Sequence, residues 1–275
     1  MFLLPKRYVV ILLSYLLIML GISLGVAQST SFDLAQGEPP QAIEPSEMTM
    51  TFEENFETLD VSPWGPGTRW IAHTPWAGDF GGAVFADPEE GFPFTIVDGV
   101  LRIEAAPDEK GRWRSGLLAS VDKEGNGFSQ QYGYFEMSAR LPTQPGVWPA
   151  FWLIGKDRSK TTAEVDILEF YGSKPEGYTS VVHVWRRPEG NYSRGTRNNV
   201  FDSQSPADFH SYGAWIGEKW IGIYFDRKLV WKTETQAEHR QPMYLLLNLA
   251  MVEDGTLLSA SRPSYMYVDY VRVFE

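Results

Sequence analysis

From about Thr49 to the last residue, the chain shows almost no long apolar period of 3.6 residues of the kind a helix needs to bury one face. It runs instead as short alternating or aromatic-rich stretches separated by Gly, Pro, Asp and Asn, and that pattern restricts it to an all-β fold. Candidate strands include PFTIVDGVLRIEA, YGYFEMSARL, VWPAFWLIG, AEVDILEFYG, TSVVHVW, WIGIYFDRKLVW, MYLLLNLAM and MYVDYVRVFE, enough for a sandwich of two antiparallel sheets. Hairpin turns are expected at Val97 to Gly99 and within Phe225 to Trp231, where Asp-Gly in the first case tolerates the positive φ of a tight turn. The segment from Pro63 to Phe94 is rich in Gly, Pro and aromatics with little strand pattern, and a loop of that length is expected either to rim a working face or to cover the core.

The formal net charge of −11, with no Lys/Arg cluster that stands out, argues against a nucleic-acid partner. Cysteine is absent, so there is neither a disulfide framework nor a thiolate metal site. The N-terminus carries the compartment signal. Lys6 and Arg7 precede an apolar run from Tyr8 to Val26 that closes on the small residues Gly25, Val26 and Ala27. Residues 1–28 therefore read as a signal peptide or as an uncleaved membrane anchor, and either implies export, secreted or periplasmic. Residues 29–48 are polar and contain Pro, as a flexible linker does, which leaves 49–275 as the folded domain.

The stretch TTAEVDILEFYG sets three carboxylates into an apolar run. Alternate residues of a strand face opposite ways, so Glu164 and Asp166 share one face while Val165 points to the core. Glu169 is five residues beyond Glu164, an odd separation that in a regular strand would bury it among hydrophobes at high cost. One extra residue in a β-bulge near Ile167 and Leu168 restores parity, keeps both hydrophobes inside and returns Glu169 to the other acids. Three acids on one face repel, so at least one pKa should rise and a proton should be held in the group. Such a cluster suits the carboxylate pair of a glycoside hydrolase, which in the retaining geometry stands ~5–5.5 Å apart. Two other readings stay open on the pattern alone, a hard-cation site and a solvated strand face.

EVDILE followed by an aromatic pair, preceded by QYGYFEMSARLPTQPGVWPAFWLIG and followed by DFHSYGAWIGEKWIGIYFDRKLVW and MYVDYVRVFE, resembles the signature region of family 16 glycoside hydrolases, a group of laminarinases, lichenases, agarases and related endo-β-glycanases. The resemblance extends upstream through TIVDGVLRIEA and RSGLLAS and covers roughly Phe52 to Glu275. It implies a concanavalin A-like β-jelly-roll with a concave substrate cleft, retaining chemistry and cleavage of internal β-linkages. On that resemblance Glu164 stands at the nucleophile, Glu169 at the general acid/base and Asp166 at the assisting acid. Trp148 and Trp152, four apart and on one face of a regular strand, are expected to line sugar sites, and Glu136 to contact a sugar or to be a solvated strand residue. His183 is expected within reach of the acid/base, where it would tune it, or to be a satisfied polar group. Asp269 matches a position where members of the family bind a structural calcium, together with carbonyls near Glu53 and Gly99.

The expected substrate is a β-glucan, β-1,3 or mixed-linkage, or a bacterial exopolysaccharide, because MVEDGTLLSASRPS replaces the Gly-rich stretch ending in Trp-Pro of many β-1,3-glucanases. No cofactor is expected for the chemistry, and the chain is expected to act as a monomer on its polysaccharide, touching membrane only through an uncleaved N-terminus. The rival readings are a sugar-binding jelly roll without hydrolysis and a transglycosylase, which shares the covalent intermediate.

Overall fold

The computed structural model describes residues 37–76, 78–186, 188–201, 204–253 and 262–275. The leader at 1–28 and the start of the linker fall outside these residues, as does most of the MVEDGTLLSASRPS stretch. Two sheets face one another. The first has the strand order Tyr192–Asn198, Tyr178–Trp185, Thr162–Glu169, Val147–Gly155, Met243–Met251, Leu117–Ala119, Trp70–Ile71 and Val61–Ser62. The second is built around Lys228–Glu234, Trp220–Phe225, His210–Ile216, Gly133–Arg140, Ser264–Phe274 and Val100–Pro107. The pairing is antiparallel, as the sequence pattern predicts, apart from two short parallel contacts made by Val61–Ser62 with Trp70–Ile71 and Val84–Phe85 with Trp113–Ser115.

The core between the layers follows from period-2 alternation. Phe151, Leu153, Val165 and Leu247 of the first sheet meet Phe135, Met137, Ala139 and Val271 of the second in one buried cluster. Both anticipated hairpins form. Asp98 and Gly99 take φ of 53° and 77°, and Asp226 and Arg227 take 46° and 62°, the doubly positive conformation whose twist matches the flanking strands. Asp226 and Arg227 lack the freedom of glycine, but their side chains are tied: Asp226 Oδ2 meets His210 Nδ1 at 2.9 Å, and Arg227 pairs with Glu136.

The folded region starts earlier than the sequence suggests. Residues 39–48, read as the end of a flexible linker, lie on the outer face of the second sheet. Ile43 is buried with Tyr134, Trp215, Tyr224 and Phe274, Leu229 N donates to the Gln41 carbonyl at 2.9 Å, and Tyr224 Oη donates to the Pro40 carbonyl at 2.7 Å. The reason is an edge: Lys228–Glu234 is the last strand of its sheet and has unpaired backbone groups to satisfy.

The long Pro63–Phe94 segment sends Trp70 and Phe94 into the interlayer core, and its middle covers the outer face of the first sheet. Phe85 packs in a second apolar cluster with Ala150, Trp152, Leu246 and Ala250, and Trp76 and Phe80 pack against it. Gly81 (φ +72°) makes the close approach, since a Cβ there would sit 2.4 Å from the Met251 carbonyl oxygen that accepts from Gly82 N.

Candidate active site

Register places the acids. Against Val147–Gly155 the carboxylate strand pairs Glu164 with Ile154, Asp166 with Trp152 and Glu169 with Ala150, while Leu168 pairs with Phe151 and Ile167 is the extra residue. The opposite neighbour shows the same slip, with Asp166 across from Val181 and Glu169 across from Thr179. The bulge therefore lies where parity requires it, and both Ile167 and Leu168 are fully buried in the interlayer core. All three acids line one cavity of about 480 Å³, together with Trp76, Phe80, Trp148, Trp152 and Trp185.

Each carboxylate has its own donors. Glu164 Oε2 accepts from Trp185 Nε1 at 3.0 Å. Glu169 Oε1 accepts two bonds, from Trp148 Nε1 and Tyr171 Oη, each at 3.1 Å, which leaves Oε2 for a proton. Asp166 is almost entirely buried between them, with His183 Nε2 at 3.3 Å from its Oδ2. His183 in turn is oriented by Ser193 Oγ, 2.6 Å from Nδ1. Thus His183 meets the assisting acid and not Glu169 as expected, because it sits directly across from Glu164 on the neighbouring strand.

Burial and mutual repulsion raise all three acids. Glu164 is pushed up to about 8, chiefly by burial and then by the charge of Asp166, against the pull of Trp185 and His183. Asp166 is raised well above the carboxylate range by burial and by Glu169, and Glu169 is raised by burial against its two donors. Burial lowers His183, although Glu164 and Glu169 oppose it. The protons belong to the group. Asp166 is the most buried member and so the natural holder of one. Once neutral it no longer repels Glu164 and can donate to it, which frees Glu164 to carry the single charge that Trp185 stabilises. The ligand atoms of Glu164, Asp166 and His183 also lie within 4.8 Å of one another, the side-chain grouping among the described residues that would suit a cation.

Two expectations need correction. Glu136 belongs to the second sheet, where its carboxylate is fully buried and accepts from Arg227 Nε at 3.0 Å, Arg227 Nη2 at 2.9 Å, Tyr134 Oη at 2.8 Å and Tyr270 Oη at 2.9 Å. It is the buried half of a structural ion pair, with no exposed surface to offer a sugar. Trp152 shares its face with Trp148 as expected, yet it is only 6% exposed. Trp76 and Phe80 stand edge-on to its ring and Nε1 donates to Asn248 Oδ1 at 2.9 Å, so it forms floor and offers no open platform. Asp269 is exposed on its strand. Of the groups expected beside it, the Glu53 carboxylate pairs with Arg272 and the Glu53 carbonyl accepts from Arg69.

Trp185, Tyr171, Trp76 and Phe80 were not picked out as site residues. The first two were within reach of the parity rule, since each follows a singled-out residue by two positions, His183 and Glu169.

Comparison with known proteins settles the class. The model of glycosyl hydrolases family 16 matches residues 109–272. The chain belongs to this family. It is 30% identical to the endo-1,3-1,4-beta-glycanase ExsH of Rhizobium meliloti (strain 1021) over 92% of this chain and 57% of that protein. It is likewise 30% identical to EglC of the same organism, over 85% of this chain and 53% of the other. The chain thus spans just over half the length of these relatives. Among solved structures it superposes on SCLam, a non-specific endo-beta-1,3(4)-glucanase from family 16, with a TM-score of 0.66, 22% identity, and coverage of 88% and 98%. A laminarinase catalytic domain from Thermotoga petrophila RKU-1 gives 0.62 at 21% identity, over 83% and 98%. The two-sheet sandwich is therefore the jelly roll of this family, whose hydrolases retain anomeric configuration.

Proposed function

We propose that this chain is an exported endo-β-glycanase that cleaves internal bonds of a β-1,3 or mixed-linkage β-glucan, or of an exopolysaccharide built on such linkages, with retention. The observation that carries this reading is the bulge that turns Glu169 onto the face of Glu164 and Asp166, in a groove walled by Trp76, Trp148 and Trp185. The groove is open on both sides of Glu164. A second cavity of about 510 Å³ shares Trp76, Glu164 and Trp185 with the first, so an internal stretch of glycan has room to cross the acids. Export rests on the N-terminal apolar run and its small-residue end.

The chemistry follows from the donors. Ionised Glu164, held by Trp185, attacks the anomeric carbon while Glu169 passes its proton to the departing glycosidic oxygen. Glu169 then takes a proton from water, the water opens the glycosyl–Glu164 ester, and Glu164 returns as carboxylate. Asp166 holds its proton throughout and adjusts the charge on Glu164. No cofactor enters these steps.

The test is digestion of a panel of β-glucans, with reducing-end release and the anomer of the first product read by NMR. The β-anomer should appear first, and Glu164→Gln should abolish release while still binding substrate. Initial release of the α-anomer would refute the assignment of Glu164. Undiminished hydrolysis by the variant would do the same.

A further inference from the structure

We propose that the groove beyond Glu164 ends in an anion subsite, built on residues 156–160, that takes a sugar substituent bearing a carboxylate or a sulfate ester. This rests on the glycanase reading above and specifies which glycans that cleft prefers. The chain carries 35 acidic and 24 basic residues, and its reaction centre is itself a cluster of acids. Against that background the cations at this end of the groove are out of character. Arg158 and Lys160 line the 510 Å³ cavity alongside Glu164. Arg158 also lines an adjoining cavity of about 280 Å³ with Lys156 and Tyr244, so one groove continues from the acids to these bases.

Their state separates them from ordinary surface charges. Arg69, Arg186, Arg227 and Arg272 are each paired with a carboxylate, whereas Lys156, Arg158 and Lys160 form no ion pair among the described residues. Of the acids nearby, Asp122 accepts from the Glu124 and Asn126 amides, Glu124 lies 3.7 Å from Lys123, and Asp157 accepts from the Ser159 amide at 3.0 Å while offsetting part of the Lys160 charge. The loop that carries the three cations is anchored, with Lys156 N donating to the Pro242 carbonyl at 2.9 Å and Asp157 N to Gln241 Oε1 at 2.6 Å. The Arg158 guanidinium lies 4.0 Å over the Trp76 ring, a stack that occupies its face and leaves hydrogen bonding to its N–H edge, part of which acts on the Tyr244 hydroxyl. The Tyr244 hydroxyl, on a residue only 2% exposed, feels the charge of Arg158 and makes no other hydrogen bond among the described residues. A planar fork with a buried hydroxyl beside it and two ammonium groups make a site that a neutral hexose leaves unsatisfied and a carboxylate or sulfate fills.

The test compares kcat/KM on three polymers: a neutral mixed-linkage β-glucan, the same glucan lightly succinylated, and the same glucan lightly sulfated. In the wild type the ratio of charged to neutral should exceed one. It should fall about tenfold in Arg158→Gln and about threefold in Lys160→Gln, and should shrink as salt is added. Whether the succinylated or the sulfated polymer shows the larger effect identifies the anion. Hydrolysis of the neutral glucan with a ratio that neither substitution moves overturns the subsite and leaves the glycanase reading standing. If none of the polymers is cut, that reading fails and calorimetry decides the subsite separately. Binding of the succinylated glucan to Glu164→Gln that is lost when Arg158→Gln is added supports the subsite, and equal binding with and without Arg158→Gln refutes it.

Discussion

Tyr171→Phe isolates the hydrogen bonding that sets the proton of the acid/base. Glu169 Oε1 accepts from both Tyr171 and Trp148, and each bond favours the ionised form against the burial that raises it. Removing one hydroxyl leaves the ring in place, stacked on Trp148 with centroids 5.6 Å apart, so the wall of the groove is kept. A hydrogen bond to an ionised group contributes about 1.5–3 kcal/mol, and one pKa unit corresponds to ~1.36 kcal/mol. Taking the lower figure as the part lost from the ionised form, the Glu169 pKa should rise by about one unit. Glu169 must be protonated to assist the leaving oxygen, so its titration sets the alkaline limb of the pH profile. Raising its pKa moves that limb to higher pH. The assay is kcat/KM for reducing-end release across pH, wild type beside variant, with the limb expected about one pH unit higher. An unmoved limb, or one shifted to lower pH, would show that Tyr171 does not act on the proton of Glu169.

Three further outcomes follow from the same contacts. Burial and mutual repulsion raise Glu164, Asp166 and Glu169 together, so the folded acid cluster holds protons that the unfolded chain releases, and the stability this gives is present below the ordinary carboxylate range and lost as pH rises towards about 8. Glu164→Gln should therefore match the wild-type melting temperature near pH 4 and exceed it by ~5 °C or more at pH 8; a gain that is the same at both pH values contradicts the assignment. Glu136→Ala removes the acceptor from Arg227 and two tyrosine hydroxyls, which should cost about 3 kcal/mol, or roughly 6–12 °C in Tm, while kcat/KM at 25 °C stays near wild type. A selective loss of activity with unchanged Tm would return Glu136 to the substrate. Ile43→Ala should destabilise by about 2 kcal/mol in urea unfolding, a loss that an undocked linker would not show.

What the sequence disclosed and what it withheld divide along a physical line. A regular strand's side-chain period is two, so the odd spacing of Glu164 and Glu169 requires a bulge, and the same rule reaches Trp185 and Tyr171. The two hairpins were legible for a similar reason, since their turns are local. Parity says which residues share a face but not which sheet the face belongs to. Glu136 alternates with core residues as faithfully as Glu164 does, and only its pairing with Tyr212–Ala214 and Val271–Val273 assigns it to the opposite side of the molecule. Its partner Arg227 lies 91 residues away on a hairpin, a separation that no window of alternation spans. The same limit hid the burial of Trp152, which is decided by Trp76 and Phe80 folding back from a segment without strand pattern. Tyr192–Asn198 escaped notice because, as an edge strand of mostly half-buried or exposed residues, it has no apolar alternation to show. The reacting pair was thus written in one continuous stretch of chain, while the walls that decide what reaches it come from three separate segments. Chemistry is for that reason the more legible property of this sequence, and specificity the one that needed the fold.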